Sequence, residues 1–320
     1  MELFSPILNQ MVFLFAFILI GYVLSKFKFI PENSATVLSK LESMIFVPAL
    51  TMGTFIKNCN IQTLSSAWKI LAAGAVLAVT LALVSLPVGK LCFKEDFRRR
   101  LAAYGLAFSN FGYMGNAIMI AVFPDIFFEY TIFTFPLWIG IYLWGVPVLL
   151  IGDGAEGGKK SLGQRLKAFC NPMLIGMLIG AVLGLTQVKL PSAVLNVIEV
   201  SGNCMSPLAM LLTGMTIAKI NALELLKKWR IYLISVFKLL VYPLAYVLIF
   251  AFIPQGEFLT ETVLICGMNV MAMPMGLNAI IIPAAYGKDT TDAAGMALIS
   301  HVLSIATIPL MFMLLQAVVL

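Results

Sequence analysis

The chain has 320 residues, of which 61% are hydrophobic and 11% charged, with a mean hydropathy of +1.00. Soluble domains carry roughly 25% charged residues, so a water-soluble globule is excluded. The net charge of +6 sits in short loops beside apolar runs rather than in a stripe, which argues against nucleic acid as a partner and reads as a topology signal.

In chain order, apolar runs cover about 6–26, 35–57, 66–92, 100–123, 129–152, 167–186, 192–219, 226–253, 260–284 and 292–320. Each is long enough for the ~30 Å hydrocarbon core, and the runs are continuous rather than alternating as barrel strands do. The expected fold is an all-α membrane protein with ten transmembrane helices. Pro6, Pro31, Pro172 and Pro191 stand at segment edges, where helices start or stop. The first five residues lack the basic stretch of a cleavable leader, so the first run is expected to be retained. Gly152–Lys160 is glycine-rich and charged; it suits a cytoplasmic linker over 153–166, between a first half at 1–152 and a second at 167–320.

Alternating the spans places sixteen lysines and arginines on one side, against Lys57, Lys69 and Lys189 on the other. Basic loops face the cytoplasm, so a multi-pass plasma (inner) membrane protein with both termini extracytoplasmic is expected. Five cysteines are scattered without metal-ligand spacing, so no metal site and no bound cofactor is expected.

The halves echo each other. Gly21-Tyr22-Val23-Leu24 resembles Gly180-Ala181-Val182-Leu183 at an offset of 159, and Pro48 pairs with Pro207 at the same offset. Asn116-Ala117-Ile118 returns as Asn278-Ala279-Ile280 at 162, as Pro147 does with Pro309. Five spans per half give opposite orientations, an inverted repeat of the kind found in secondary transporters.

Spans four and nine are interrupted at corresponding places, by Ser109-Asn110-Phe111-Gly112-Tyr113-Met114-Gly115-Asn116 and by Asn269-Val270-Met271-Ala272-Met273-Pro274-Met275-Gly276-Leu277-Asn278. Glycine eases unwinding, and proline removes a backbone donor. Unwound backbone at membrane depth is tolerated where it is buried in protein or lines a cavity, so paired breaks point to a midplane binding site. The competing reading is that the glycines allow close helix packing and the asparagines bond between helices. The candidate substrate-binding residues are Asn110, Gly112, Tyr113, Gly115, Asn116, Asn269, Met273, Pro274, Gly276 and Asn278.

These motifs, with Phe46-Val47-Pro48-Ala49-Leu50, Ser206-Pro207-Leu208-Ala209, Thr213-Gly214 and Thr307-Ile308-Pro309-Leu310, resemble the auxin efflux carrier family over essentially the whole chain. The resemblance implies two inverted five-helix repeats, similar to bile-acid symporters, with helices four and nine crossing at their breaks. It also implies an elevator motion, small organic anions as substrates (mono- or dicarboxylates or auxin-like acids), and homodimers in part of the family. Where family members often carry a proline in span four, this chain has Ala117.

Thr51 resembles a family position near the ligand, with Thr213 as its rough counterpart; each hydroxyl has its own preceding turn as an alternative partner. Tyr142 and Trp144 are candidates to line the path, or else interfacial anchors. Glu42 and Glu199, the carboxylates placed inside spans, and His301, the single histidine, are candidates for coupling. Lys238, eight residues past Arg230, is expected to snorkel to the cytoplasmic surface; failing that, it is an anion partner. Phe93–Arg100 is either a topology loop or a contact for anionic lipid.

The resulting expectation is a secondary active transporter of a small organic anion in the bilayer, coupled to Na+ or H+. No Walker motif is present to drive it with ATP. The alternative is a cation or proton antiporter of similar fold, though neither interruption holds an acidic residue. An intramembrane protease lacks its paired aspartates or its G-x-S-x-G elbow, so an enzyme is not expected.

Overall fold

In hydrocarbon every backbone polar group must be satisfied within its own segment, and the apolar runs accordingly wind into helices. The computed structural model describes residues 3–152, 171–219, 225 and 227–320. Among these the regular structure is all helical, with one isolated bridge and no strand. The linker expected over 153–166 lies outside the described residues.

Among the described residues seven helices are long and apolar enough to cross a membrane: α1 (Phe4–Lys26), α2 (Ser34–Asn58), α3 (Ile61–Cys92), α6 (Pro124–Ile151), α8 (Ser192–Ala218), α9 (Trp229–Ala251) and α12 (Thr291–Val318). The sixth apolar run is represented by α7 (Pro172–Thr186), which has 15 residues. The fourth run divides into α4 (Asp96–Ala107) and α5 (Phe111–Val122). The ninth divides into α10 (Glu261–Ala272) and α11 (Asn278–Ala285). Three helix starts carry a side-chain cap. Asn60 and Thr63 form a capping box at α3, and Asn171 and Thr260 accept the N–H of Leu174 and Val263 at α7 and α10. Each satisfies a donor that the helix itself leaves free.

Among the helix pairs that approach backbone to backbone through glycine, two are matched. In α1–α8, a Cβ on Gly21 would lie 2.2 Å from the Leu211 carbonyl oxygen, and one on Gly214 1.9 Å from that of Ile18. In α2–α7, a Cβ on Gly176 would lie 2.6 Å from the Pro48 carbonyl oxygen and one on Gly180 2.5 Å from that of Met52. Small residues permit such contact, which drives helix association in lipid. Adding 159 to Gly21 and to Met52 reaches Gly180 and Leu211, so one contact maps onto the other.

Polar contacts gather at two ends of the bundle. At one, the Leu3 N–H donates to Gln316 Oε1 (3.2 Å) and Gln255 Nε2 to the Val319 carbonyl (3.1 Å). Lys69 pairs there with Glu257 at 2.9 Å, and this bond holds the Glu257 carboxyl below its ordinary range. At the other end, Lys219 reaches the Glu32 carbonyl (3.1 Å), Arg100 that of Val148 (3.0 Å), and Lys288 that of Ile151. Asp292, in the first turn of α12, accepts from Arg98 at 3.1 Å and Lys228 at 2.7 Å, tying the starts of α4, α9 and α12 together.

Asp292 is 5% exposed, whereas its partners are partly solvated. Replacing it with asparagine leaves two cations facing each other. Asp292→Asn is expected to cost about 1–2 kcal/mol, below a fully buried pair because the cations reach water. A lower melting temperature for the purified variant, with Asp292→Glu closer to the parent, checks this.

Candidate functional site

The two interruptions meet. α4 stops at Ala107, and Phe108 takes φ −117°, ψ 88°. α10 stops at Ala272 because Met273 precedes proline and adopts φ −67°, ψ 145°, the extended conformation such residues favour. The unwound strands then pair with each other. Ser109 and Met275 form an antiparallel bridge, and the Asn110 N–H donates to the Pro274 carbonyl at 2.8 Å.

Side chains complete the junction. Ser109 Oγ donates to the Val270 carbonyl (2.8 Å), Asn269 Nδ2 to that of Gly115 (3.0 Å), and Tyr130 to that of Phe111 (2.9 Å). Ser300 on α12 accepts the Met275 N–H at 3.2 Å. Several of the carbonyls and N–H groups that the breaks expose are thereby paired, as burial requires. Glycine is needed here for space: a Cβ on Gly112 would lie 2.5 Å from the Trp138 ring, and one on Gly115 2.5 Å from the Tyr130 hydroxyl.

A cavity of about 20 Å³ lies at the crossing, lined by Tyr104, Phe108, Ser109, Asn110, Gly112, Tyr113, Trp138, Ile141, Gly276, Leu277 and Asn278. That is room for about one water. Among the described residues no carboxylate lines it, and α5 and α11 both begin there without a side-chain cap. Uncapped helix starts present N–H groups and the positive end of the helix dipole. A second cavity, of about 410 Å³, lies between α2 and α8 on one side and α5 and α6 on the other, with Lys57, Asn58, Glu199 and Asn203 on its walls.

Of the candidates, Asn110, Gly112, Tyr113, Gly276 and Asn278 line the small cavity. Gly115, Asn269, Met273 and Pro274 build the crossing around it, and Asn269 Oδ1 is buried there without a partner among the described residues. Asn116 lies half-buried beyond it. Tyr142 stands behind the lining, its ring stacked on Trp138 at 6.4 Å, while Trp144 packs edge-on against Phe108.

Thr51 and Thr213 are not at the cavity. Thr51 donates within the carbonyl cluster of Val47, Pro48 and Met173, and Thr213 donates to the Ala209 carbonyl at 2.8 Å. The 159-residue offset matches Thr213 with Thr54 rather than Thr51, and Thr54 makes the same bond, to Leu50.

The two coupling carboxylates part company. Glu199 is half-exposed and paired with Lys57 at 3.1 Å. Glu42 is completely buried, and neither of its oxygens has a partner among the described residues. It sits on a widened π-turn, Glu42–Phe46; Tyr113, Tyr142 and Lys238 also lie on such turns, which recur at functional sites.

Lys238 does not snorkel. It is 1% exposed, its Nζ lies 3.5 Å from the Val270 carbonyl, and no carboxylate pairs with it among the described residues. Eight residues past Arg230 is about 12 Å of helix, well beyond what its side chain can span. That depth was the available signal. The roles of Ser109 and Ser300 had none, since each depends on a partner from another helix.

His301, fully buried on α12, contacts the Ala297 carbonyl through Nδ1 (2.7 Å) and Asn110 Nδ2 through Nε2 (3.2 Å). Its side-chain partner is therefore a residue of the crossing.

A family model described as membrane transport protein matches residues 6–312, a stretch that includes both interruptions and the helices around them. No curated protein matches the chain. The chain belongs to this membrane transport protein family, that of the auxin efflux carriers.

Proposed function

We propose that the protein is a secondary active carrier of a small organic anion, a mono- or dicarboxylate or an auxin-like acid, which binds at the crossing of the two broken segments. Charge is the observation that carries this reading. Two uncapped helix starts stand at the crossing, the fully buried Lys238 lies behind it on the Val270 carbonyl, and among the described residues no carboxylate lines its cavity. Cation and proton antiporters of this design usually bury an aspartate at that place, so its absence counts against that alternative.

Ten spans in two inverted halves would place both termini on one face, and the Leu3–Gln316 contact is consistent with that. The matched Gly21–Leu211 and Gly180–Met52 contacts support the repeat. The surplus of Lys and Arg at the opposite end supports cytoplasmic basic loops and extracytoplasmic termini. In this reading the glycine-packed pairs α1–α8 and α2–α7 form the fixed part. The crossing slides against them as an elevator, and the 20 Å³ cavity widens to admit substrate.

The test is counterflow of labelled carboxylates in proteoliposomes. Asn110→Ala and Asn278→Ala are each expected to lower exchange about tenfold or more, since a hydrogen bond to a charged ligand contributes about 1.5–3 kcal/mol. Unchanged exchange in both would remove the crossing as the site.

A further inference from the structure

The bonds of His301 determine more than its position. Its Nδ1 lies 2.7 Å from the Ala297 carbonyl oxygen, which only accepts, so Nδ1 carries the hydrogen. Its Nε2 lies 3.2 Å from the Asn110 amide nitrogen, which only donates, so Nε2 is bare. The ring is the neutral Nδ1–H tautomer. The same bond orients Asn110: its NH2 is held by the ring and its oxygen is the end left over. Asn110 lines the cavity and does not cap α5.

A proton added at Nε2 turns that nitrogen into a donor. It then cannot face an NH2 group, and the contact is restored only when the amide rotates to bring its oxygen to the ring. The NH2 then points the other way. Ring charge and amide orientation are therefore locked together: a neutral ring leaves an acceptor for the cavity, a charged ring a donor. Only the second suits a carboxylate.

We propose that His301 and Asn110 form a proton-operated amide switch that binds one proton together with each carboxylate taken up at the crossing. This rests on the organic-anion reading above and names its coupling ion.

The surroundings enforce joint binding. The elements packed on α12 bring Lys238, Tyr242 and Tyr246 of α9, Cys266 of α10 and Tyr104 of α4 into the interior of the bundle; α1 carries only Tyr22 and the terminal Lys26, and α11 carries no ionisable group. None of these is a carboxylate. Asp292, on His301's own helix, is already engaged by Arg98 and Lys228. An imidazolium here lacks an anion until one enters the cavity, and a buried unpaired charge is strongly disfavoured. The anion in turn meets an amide oxygen until the ring is charged. Each ligand favours the other, and by linkage the effect is reciprocal.

Because the chain has one histidine, ¹⁵N-histidine labelling reports this ring alone. The full-length protein would be reconstituted, and labelled succinate and indole acetate used as the dicarboxylate and monocarboxylate probes. With the membrane potential clamped, wild type is expected to accumulate an exchanged probe about tenfold per unit of inward proton gradient. Its ring should change from the Nδ1–H form to the doubly protonated form when that probe binds near pH 6. His301→Gln keeps an amide that can bond Asn110 but cannot titrate in this range. It is expected to lose gradient-driven accumulation.

A ring that stays neutral while the probe is bound overturns the switch, whatever the variant does. So does accumulation by His301→Gln equal to wild type. Failure of wild type to exchange either probe removes the carrier reading instead, and the switch with it.

Discussion

Lys238→Met is expected to raise the melting temperature of the purified protein while weakening carboxylate binding about thirtyfold. The two effects have one cause. Lys238 is fully buried, and the Val270 carbonyl at 3.5 Å is its recorded bond. A buried charge without a counter-ion is a stability loss that an apolar side chain of similar length removes. The charge also neutralises the carbonyl end of α10, where Val270 accepts from Ser109 as well. At an effective dielectric near 20, a unit charge within one helix diameter of a bound carboxylate contributes about 2 kcal/mol, which is the thirtyfold. A calorimetric melt and a binding isotherm on the same preparation read both quantities. Stability that falls together with affinity would mean that Lys238 is structural; affinity that holds would mean that its charge does not reach the ligand.

Gly214→Leu is expected to prevent recovery of folded protein. A Cβ at this position falls 1.9 Å from the Ile18 carbonyl oxygen and 2.7 Å from the Tyr22 nitrogen. Both are backbone atoms in the middle of a helix and cannot step aside. The two helices must separate, and in lipid no hydrophobic gain compensates for the packing lost between them. The loss exceeds the ~1–3 kcal/mol usual for overpacking against mobile side chains. Gly180→Leu on the matching pair is expected to behave alike, since its Cβ would stand 2.5 Å from the Met52 oxygen. Gly256→Ala, with nothing within 4 Å, should stay within about 0.5 kcal/mol of the parent. Size-exclusion profiles of the three variants check this, and a monodisperse Gly214→Leu would show that α1 and α8 are not held as tightly as their glycines imply.

Several residues mark how far the sequence could be read. Pro274 after Met273 announces a break on its own, because proline both removes a donor and restrains the residue before it. The glycines flanking Tyr113 announce the other break less strongly, and Ala117 adds no proline to help. By contrast, Glu42 and Glu199 look equivalent in sequence, each a lone carboxylate early in an apolar run. Only packing separates them. Lys57, at the end of α2, reaches Glu199 at the surface, while nothing among the described residues reaches Glu42. Thr51 and Thr213 could likewise have faced a ligand or their own helix, and it is their hydrogen bonds that assign them to backbone carbonyls.

What the sequence determines by itself is therefore local. Continuous apolar runs must be helices in a bilayer, and proline and glycine must interrupt them, since both follow from the backbone's need for partners within a few residues of each position. What only the tertiary structure decides is which distant groups meet. Asn110 and His301 are 191 residues apart, and Asn269 and Gly115 are 154 apart. No spacing rule links such pairs; they are joined because two broken helices, each with unpaired backbone at its break, satisfy one another where they cross.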